Sequence, residues 1–283
     1  MYQIETKDCT YTYQSGSVNA YPALHHINLQ ICKGEMIALI GHGGSGKSTL
    51  ASILAGLFQP QSGKVTIDGN SVPKKGVFSE VSLVFQYPEQ QFFGKNVMEE
   101  VAFGPRNFGI AEEQIPRLVN DALEKVGLDP EQFCQRSPFA LSGGQKRRVC
   151  IACMLAVDPQ IIILDEPTAG LDEGGQIWMR ELALELNKQG KTIIWISHDM
   201  AQVAQFAKRV IVLEKGKIIM DDIASKVFCC EQELKKAGLD IPKAAYLVQQ
   251  LKAKGWKIPA KAITVEGAFS EINAYLGGGD HAK

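Results

Sequence analysis

The stretch GHGGSGKS, residues 41–48, constrains the fold of this chain more than any other. It follows MIALI, which predicts a strand buried on both faces, and it precedes the helix-forming run TLASILAGLF. Glycines let backbone N–H groups wrap a phosphate, Lys47 brings positive charge to the outer phosphates, and Ser48 offers a hydroxyl to Mg²⁺. A glycine-rich turn that happens to contain a lysine is the alternative, and the flanking strand and helix favour a phosphate loop. The predicted nucleotide-binding residues of this loop are Gly41, His42, Gly43, Gly44, Ser45, Gly46, Lys47, Ser48 and Thr49.

Alternating strands and helices predict an α/β fold with a mainly parallel sheet. The apolar runs MIALI, IIIL and TIIWI are typical of parallel strands covered on both faces. A mainly helical stretch, about residues 88–155, is predicted to form a lobe that includes an amphipathic helix over residues 111–127. Short amphipathic segments follow, which predicts a first domain of residues 1–222 and a small C-terminal module of residues 223–283.

Polar residues are predicted to meet the phosphate loop at one edge of this sheet, because ligands of open α/β sheets bind outside the carboxyl ends of the strands. Asp165 and Glu166 end the buried strand of IIILDEP. Asp165 is costly to bury without a cation, so we expect it to hold Mg²⁺, and we expect Glu166 to polarise an attacking water. The alternative, an acidic pair that caps the next turn, is disfavoured by the phosphate loop.

Three further residues are candidates for the same site. His198, in WISHD, follows another buried strand and is interpreted as a hydrogen-bond donor to a γ-phosphate, although a lone histidine at a strand end is more often structural. Gln86 ends the predicted strand VSLVFQ, and its amide is within reach of a metal or a water there. Tyr13 either stacks on a base or packs against a neighbouring strand, and the sequence leaves both open.

The stretch LSGGQKRR predicts a second helix start that binds an anion. Ser142 and the backbone of Gly143 and Gly144 form an N-terminus with the same properties as the first, and Gln145 follows it. We call residues 142–145 the helix tip. The chain thus contains two half-sites for one polyphosphate. The sequence alone leaves open whether the helix tip closes on its own phosphate loop or on that of a neighbour.

Bulk properties exclude some functions. The formal net charge of -1 argues against a protein that binds nucleic acid through basicity. The longest apolar run, residues 149–157, is far shorter than the ~20 residues of a spanning helix. No secretory leader opens the chain, so we expect a cytosolic protein.

Cys150 and Cys153 have the spacing of a redox or metal pair. The favoured interpretation is that they are two small core residues one helical turn apart.

The ordered set GHGGSGKST, Gln86, LSGGQKRR, IIILDEP, AGLD (residues 169–172) and His198 resembles the nucleotide-binding subunit of ABC transporters over about residues 1–222. The resemblance implies MgATP hydrolysis and a parallel P-loop sheet with an antiparallel β subdomain and a helical lobe. It implies that two such chains pair head to tail, each helix tip closing over the partner's phosphate loop, with the AGLD turn between the two sites. Tyr13 then corresponds to the base-stacking aromatic, Glu166 to the general base and His198 to the switch histidine.

A narrower resemblance lies in YPEQQFF and RSPFALSGGQKRRV, which are similar to the second ATPase type of energy-coupling factor (ECF) transporters. It implies an ATPase at the cytoplasmic face of the membrane that energises uptake of a vitamin or a transition-metal ion. Its implied partners are a second ATPase, identical or related, a transmembrane scaffold and a separate substrate-binding membrane subunit. The C-terminal module is implied to help hold the ATPases together. Glu173 replaces the usual Pro after AGLD, and no departure removes a catalytic group.

Residues 86–95, here called the docking segment, are implied by the resemblance to contact the scaffold. Phe92 and Phe93 side by side on the surface of the lobe supply an apolar anchor for a helix of the scaffold. Packing of these rings inside the lobe is the alternative.

Two other functions are disfavoured by the sequence. A soluble ABC-type ATPase of DNA repair or translation has a long coiled-coil insertion or a second cassette, and this chain has neither. A non-catalytic scaffold that binds ATP as a structural ligand is disfavoured by the intact Asp165, Glu166 and His198.

Overall fold

The computed structural model describes residues 2–72, 78–259 and 262–277 and has an α/β architecture. Its strands in chain order are β1 (Tyr2–Tyr13), β2 (Tyr21–Cys32), β3 (Met36–Ile40), β4 (Ser62–Ile67), β5 (Asn70–Ser71), β6 (Val81–Val84), β7 (Ile161–Asp165), β8 (Thr192–Ile196), β9 (Arg209–Glu214) and β10 (Lys217–Ile223). Its helices are α1 (Lys47–Leu54), α2 (Val97–Asn107), α3 (Ile115–Lys125), α4 (Pro130–Phe133), α5 (Gly143–Leu155), α6 (Glu173–Lys188), α7 (Met200–Phe206), α8 (Ala224–Val227), α9 (Glu231–Lys236), α10 (Lys243–Ala253) and α11 (Val265–Gly277). Short 3₁₀ segments cover Pro88–Gln91 and Pro138–Ala140.

A six-stranded sheet in the order β10-β9-β3-β8-β7-β6 forms the centre, and only the β10–β9 pair is antiparallel. Successive residues of a strand face opposite sides, so each central strand contributes to two cores. In β3, Ala38 and Ile40 belong to one core, and Ile37 and Leu39 belong to the other. Because both faces are covered, the strands are continuous apolar runs, and the mainly parallel sheet is confirmed.

Different elements cover the two faces of this sheet. An antiparallel sheet in the order β2-β1-β4-β5 packs with α1 against one face. The helices of the lobe pack against the other face, together with α6, α7 and the start of the C-terminal module. In register, Leu39 of β3 and Asp165 of β7 both pair with Ile196 of β8. The carboxyl ends of these three strands therefore lie side by side.

Some element boundaries differ from the sequence prediction. Strand β6 ends at Val84 rather than at Gln86, because the Gln86 carbonyl accepts hydrogen bonds from Arg147 instead of extending the ladder. The helix predicted over residues 111–127 is α3, Ile115–Lys125, which has a proline in its first turn. The buried residues of the lobe belong to the same core as those of the sheet, so the lobe has no separate core among the described residues.

The C-terminal module is joined to the main core and also has a small core of its own. Phe228 and Leu234 pack into the main core. Val248 and Ala268, on α10 and α11, belong to a separate cluster with Ile258 and Ala262. Ala245 of α10 and Ile263 also belong to the main core, so the division at residue 222 stays a prediction.

Of the two spaced cysteines, Cys150 is buried, and Cys153 is partly buried and packs against the core. Burial raises the pKa of the Cys150 thiol to about 12 and raises the pKa of Cys153 well above its ordinary value. Both thiols are protonated at neutral pH, which supports the core interpretation over a redox pair.

Within the described ranges, no group of three or more His, Cys, Asp or Glu side chains is arranged to hold a metal ion. No helix in those ranges has the length and apolar character needed to cross a membrane.

Candidate active site

The phosphate loop, residues 41–48, connects β3 to α1, and glycine is required at two of its positions. Gly46 is the N-cap of α1 and has a φ of 106°, and a Cβ there would lie 2.7 Å from the Ala23 carbonyl oxygen. A Cβ at Gly41 would lie 2.4 Å from Oγ of Ser45. The turn therefore leads directly into α1, whose free N–H groups point to the sheet edge and attract an anion.

Lys47 lies across this loop. Its Nζ donates to the carbonyl oxygens of Gly41 at 2.7 Å and His42 at 3.0 Å. Burial lowers the pKa of Lys47, and the charges of Glu166 and Asp165 oppose that effect. The ammonium group is thus held between the loop backbone and two carboxylates. Of the remaining loop residues, His42, Gly43 and Gly44 are exposed, while Ser45 and Thr49 are buried.

Asp165 ends β7 with only 6% of its surface exposed. Burial raises the pKa of this carboxyl group, while a hydrogen bond from Ser48 and the charge of Lys47 lower it. The structure therefore brings Ser48 and Asp165 together. A hydroxyl and a carboxylate side by side are oxygen donors of the kind that Mg²⁺ prefers.

Glu166 has a strained backbone and pairs with His198. Its φ of 50° is uncommon for a residue with a side chain, and its N–H donates to the carbonyl oxygen of Ile196 at 3.0 Å. Oε1 of Glu166 lies 2.6 Å from Nδ1 of His198. The carboxylate is mostly shielded, with 13% of its side chain exposed, whereas 71% of the His198 side chain is exposed. The strained turn thus presents a carboxylate oriented by an imidazole at the edge where the phosphate loop lies.

Gln86 follows β6 at this edge, and its side chain is exposed. Its carbonyl oxygen accepts hydrogen bonds from both Nη1 and Nη2 of Arg147, each at 3.0 Å. Arg147 also donates to the carbonyl oxygen of Ala169 at 3.1 Å. Arg147 is not among the site residues predicted from the sequence. The available signal was the charged pair RR at the start of an otherwise apolar helix.

The helix tip is stabilised by its own side chains. Gln145 N–H donates to Oγ of Ser142 at 3.3 Å, and Ser142 N–H donates to Oε1 of Gln145 at 3.1 Å. This reciprocal capping box fixes the first turn of α5. A Cβ at Gly143 or at Gly144 would meet nothing within 4 Å. The tip is therefore a rigid and bare surface.

The helix tip lies beside the AGLD turn of its own chain, in a groove to which the phosphate loop does not contribute. Ser142, Gly144 and Gln145 line a groove with Leu171 and Asp172, and none of residues 41–48 lines it. The two predicted phosphate-binding elements are not brought together in this groove.

Tyr13 ends β1 beside α1. Its hydroxyl group shares a hydrogen bond of 2.9 Å with Oγ1 of Thr49. Its ring packs edge-on against Tyr11 and Phe58, with centroids 5.0 Å and 5.8 Å apart. The ring thus packs within an aromatic cluster next to the phosphate-loop helix, and base stacking stays a prediction.

The two phenylalanines of the docking segment face different surroundings. Phe92 is half-buried and packs against the core, so the core-packing alternative holds for this ring. Phe93 is 58% exposed and meets Phe103 edge-on at 4.5 Å. Both line an apolar groove of about 350 Å³. The buried carboxylate of Glu100 accepts from the N–H groups of Phe93 at 3.0 Å and Gly94 at 2.6 Å, which fixes the end of the segment that leads into α2.

The chain is similar to known proteins in sequence and in structure. Residues 24–169 match the family model described as "ABC transporter". The energy-coupling factor transporter ATP-binding protein EcfA2 of Clostridium tetani is 44% identical over 275 residues, which cover 95% of this chain and 96% of that protein. The protein of the same name from Symbiobacterium thermophilum is 42% identical and covers 95% of each chain.

Two solved structures are similar throughout their length. CbiO1 from Clostridium perfringens, described as part of the ABC transporter complex CbiONQ, has a TM-score of 0.71 and 33% identity, covering 88% of this chain and 99% of its own. The ATP-binding cassette MJ0796, solved as a dimer in a post-hydrolysis state bound to ADP and Pi, has a TM-score of 0.69 and 31% identity, covering 78% and 98%.

Proposed function

The chain belongs to the energy-coupling factor transporter ATP-binding proteins of the ABC transporter family, and we propose that it hydrolyses MgATP to drive uptake of a vitamin or a transition-metal ion. It is an ATPase whose hydrolysis of ATP is coupled to transport, and its partners are a second ATPase subunit and a membrane transporter. The soluble ATPase of DNA repair or translation is not favoured, because the relatives are named as transporter subunits. Similarity over 95% of the chain, which includes the docking segment, is the observation that supports the proposal most strongly.

In the proposed reaction, Glu166 accepts a proton from the water that attacks the γ-phosphate. Its carboxylate is shielded and bonded to Nδ1 of His198, which leaves the opposite ring nitrogen for the phosphate. Lys47 and the loop amides stabilise negative charge on the phosphates. Ser48 and Asp165 fit Mg²⁺, since the buried carboxylate lies against a hydroxyl, and the Gln86 amide is the third candidate ligand. When bound, Mg²⁺ would neutralise phosphate charge and orient the triphosphate.

Each nucleotide in this proposal lies between two subunits. Support comes from the bare helix tip, whose free N–H groups and capped first turn suit a partner's triphosphate. The relative MJ0796 is described as a dimer bound to ADP and Pi, which agrees with this arrangement. In the C-terminal module, Tyr246 and Leu247 of α10 and Phe269 of α11 are exposed apolar residues that suit a further contact with the second ATPase.

The scaffold binds the docking segment in this proposal. The groove beside Phe93 is apolar and is bounded by the fixed segment that follows Gln86. An amphipathic coupling helix of a membrane subunit suits such a groove, because it buries apolar anchors there. The protein is thereby held at the cytoplasmic face of the membrane as a peripheral subunit.

Phe93→Asp is expected to weaken binding of the membrane subunits by at least about 30-fold, because a central aromatic anchor contributes about 2 kcal/mol or more and its replacement is charged. Co-purification from detergent-extracted membranes measures the binding. Hydrolysis by the isolated ATPase is expected to stay within about twofold, since the Phe93 ring is 58% exposed and packs on Phe103 rather than on the site.

Ile219→Asp is the control for this substitution, because Ile219 is an exposed apolar residue on the edge strand β10, away from the groove. It is expected to leave co-purification unchanged. Equal losses of binding and hydrolysis in Phe93→Asp would show that the ring serves the fold and not a partner.

The proposed function as a whole is tested by reconstitution. The tagged protein is purified with its membrane subunits, which are identified by mass spectrometry, and the complex is placed in liposomes. Radiolabelled Co²⁺, Ni²⁺ and individual vitamins are offered with and without MgATP. ATP-dependent accumulation of one of them is the expected result. Purification without any membrane subunit, with hydrolysis intact, would contradict the proposal.

A further inference from the structure

Arg147 is almost completely buried, with 3% of its surface exposed, and its contacts lie in two separate segments. Nη1 and Nη2 donate to the carbonyl oxygen of Gln86, and Nη2 also donates to that of Ala169. Nε lies 3.8 Å from Oε2 of Glu89. One guanidinium group thus joins the docking segment to the AGLD turn, and it extends from the helix that begins at the helix tip.

The contact with Ala169 continues to the hydrolytic pair. The N–H of Ala169 donates to the carbonyl oxygen of Glu166 at 3.1 Å, closing the turn that leaves β7. The side chain of Glu166 in turn meets His198 at 2.6 Å. An unbroken series of hydrogen bonds therefore runs from Gln86 through Arg147 to the residue assigned as general base.

Of the contacts that Arg147 makes, the one with Glu89 of the docking segment is the one that can still shorten. Among the described residues, Oε2 of Glu89 is a buried oxygen with no hydrogen-bond partner, and its 3.8 Å separation from Arg147 is too long for a hydrogen bond. Although 26% of the Glu89 side chain is exposed, its buried oxygen would gain a charged hydrogen bond if the segment moved closer to Arg147. The contacts of Arg147 with the two carbonyl oxygens, at 3.0 and 3.1 Å, already have ordinary hydrogen-bond lengths.

We propose that Arg147 is a positioning residue that makes hydrolysis at Glu166 depend on the placement of the docking segment. The planar guanidinium bonds in two directions at once, whereas a lysine ammonium in its place cannot reproduce the fork. The inference builds on the proposed function, because it assigns to scaffold docking an effect on the chemical step.

A double-mutant cycle on the purified full-length protein tests this. Values of kcat and KM for MgATP are measured for Arg147→Met, Arg147→Lys, Glu89→Gln and the combination of Glu89→Gln with Arg147→Met. Arg147→Met is expected to lower kcat by about 10- to 100-fold with KM within about threefold, and Arg147→Lys to recover part of the loss. In the wild-type background, Glu89→Gln is expected to lower kcat about threefold or more. In the Arg147→Met background, the same substitution is expected to lower kcat by less than about twofold.

Arg209→Met is the matched control. Arg209 bonds Glu35 and Asp221 at the amino-terminal end of β9, at the edge of the sheet opposite to the site. It is expected to lower Tm, to leave kcat per folded protein within about twofold, and to leave the Glu89→Gln effect unchanged. Equal effects of Glu89→Gln with and without the Arg147 guanidinium would overturn the inference, as would a Glu89→Gln protein with wild-type kcat. The cycle needs no membrane subunit, so it decides on Arg147 even if reconstitution contradicts transport.

Discussion

Glu166→Gln is expected to bind MgATP and to form a stable dimer while its turnover falls by roughly 10²–10⁴-fold. Glutamine keeps the size of the side chain and still accepts a hydrogen bond from His198, which lies 2.6 Å from Oε1. It cannot take a proton from water at neutral pH. Removing a negative charge next to the triphosphate also favours retention of ATP, so the dimer accumulates with nucleotide bound.

Single-turnover phosphate release and light scattering after size-exclusion chromatography measure the two properties. Glu181→Gln is the control, because Glu181 is an exposed carboxylate on α6. Its turnover is expected to match that of the wild type. If Glu166→Gln released phosphate at the wild-type rate, another group would have to accept the proton.

The sheet and the edge of the site could be predicted because their signals are local. MIALI, IIIL and TIIWI are continuous apolar runs, and each is followed at once by its functional residues. Parallel pairing then brings Lys47, Asp165 and His198 to one edge without further information. The strain at Glu166 follows from the same geometry, since the chain turns sharply as it leaves β7.

Arg147 could not be assigned from the sequence because its partners are not local. They lie 61 and 22 positions away, at Gln86 and Ala169, and both are backbone carbonyls that any residue type supplies. A charged residue near the start of a helix predicts a solvated position, and only the assembled fold buries this one. Long-range contacts of this kind decide which polar residues are functional.

Phe92 and Phe93 show a second limit of sequence interpretation. The two rings are adjacent, yet one packs against the core and the other is exposed. They follow the 3₁₀ segment Pro88–Gln91, which is too short for a periodic pattern to reveal its buried face. The exposed aromatic anchor therefore consists of Phe93 alone rather than of both rings. Phe103 of α2 packs against Phe93 and completes the exposed apolar surface.

Gly144→Asp is expected to lower hydrolysis by at least about 10²-fold without loss of stability, because it removes anion-binding surface from the helix tip. A Cβ at this position meets nothing within 4 Å of its own chain. An acidic residue in the first turn is favoured by the helix dipole by about 0.3–1 kcal/mol, so Tm is expected to stay level or rise. A loss of hydrolysis in this variant would then result from repulsion between the new carboxylate and the negatively charged triphosphate.

The same substitution decides which phosphate loop the helix tip closes on. If the tip serves the partner, a single Gly144→Asp subunit retains wild-type affinity for ATP, since residues 41–48 are unchanged, while dimer formation and turnover are lost. Isothermal titration at low protein concentration and light scattering separate these quantities. Gly144→Asn is the matched control, because it adds the same volume without charge and is expected to lose less activity. A fall in the ATP affinity of the isolated subunit would show that the tip closes on its own chain, and wild-type turnover would show that it approaches no nucleotide.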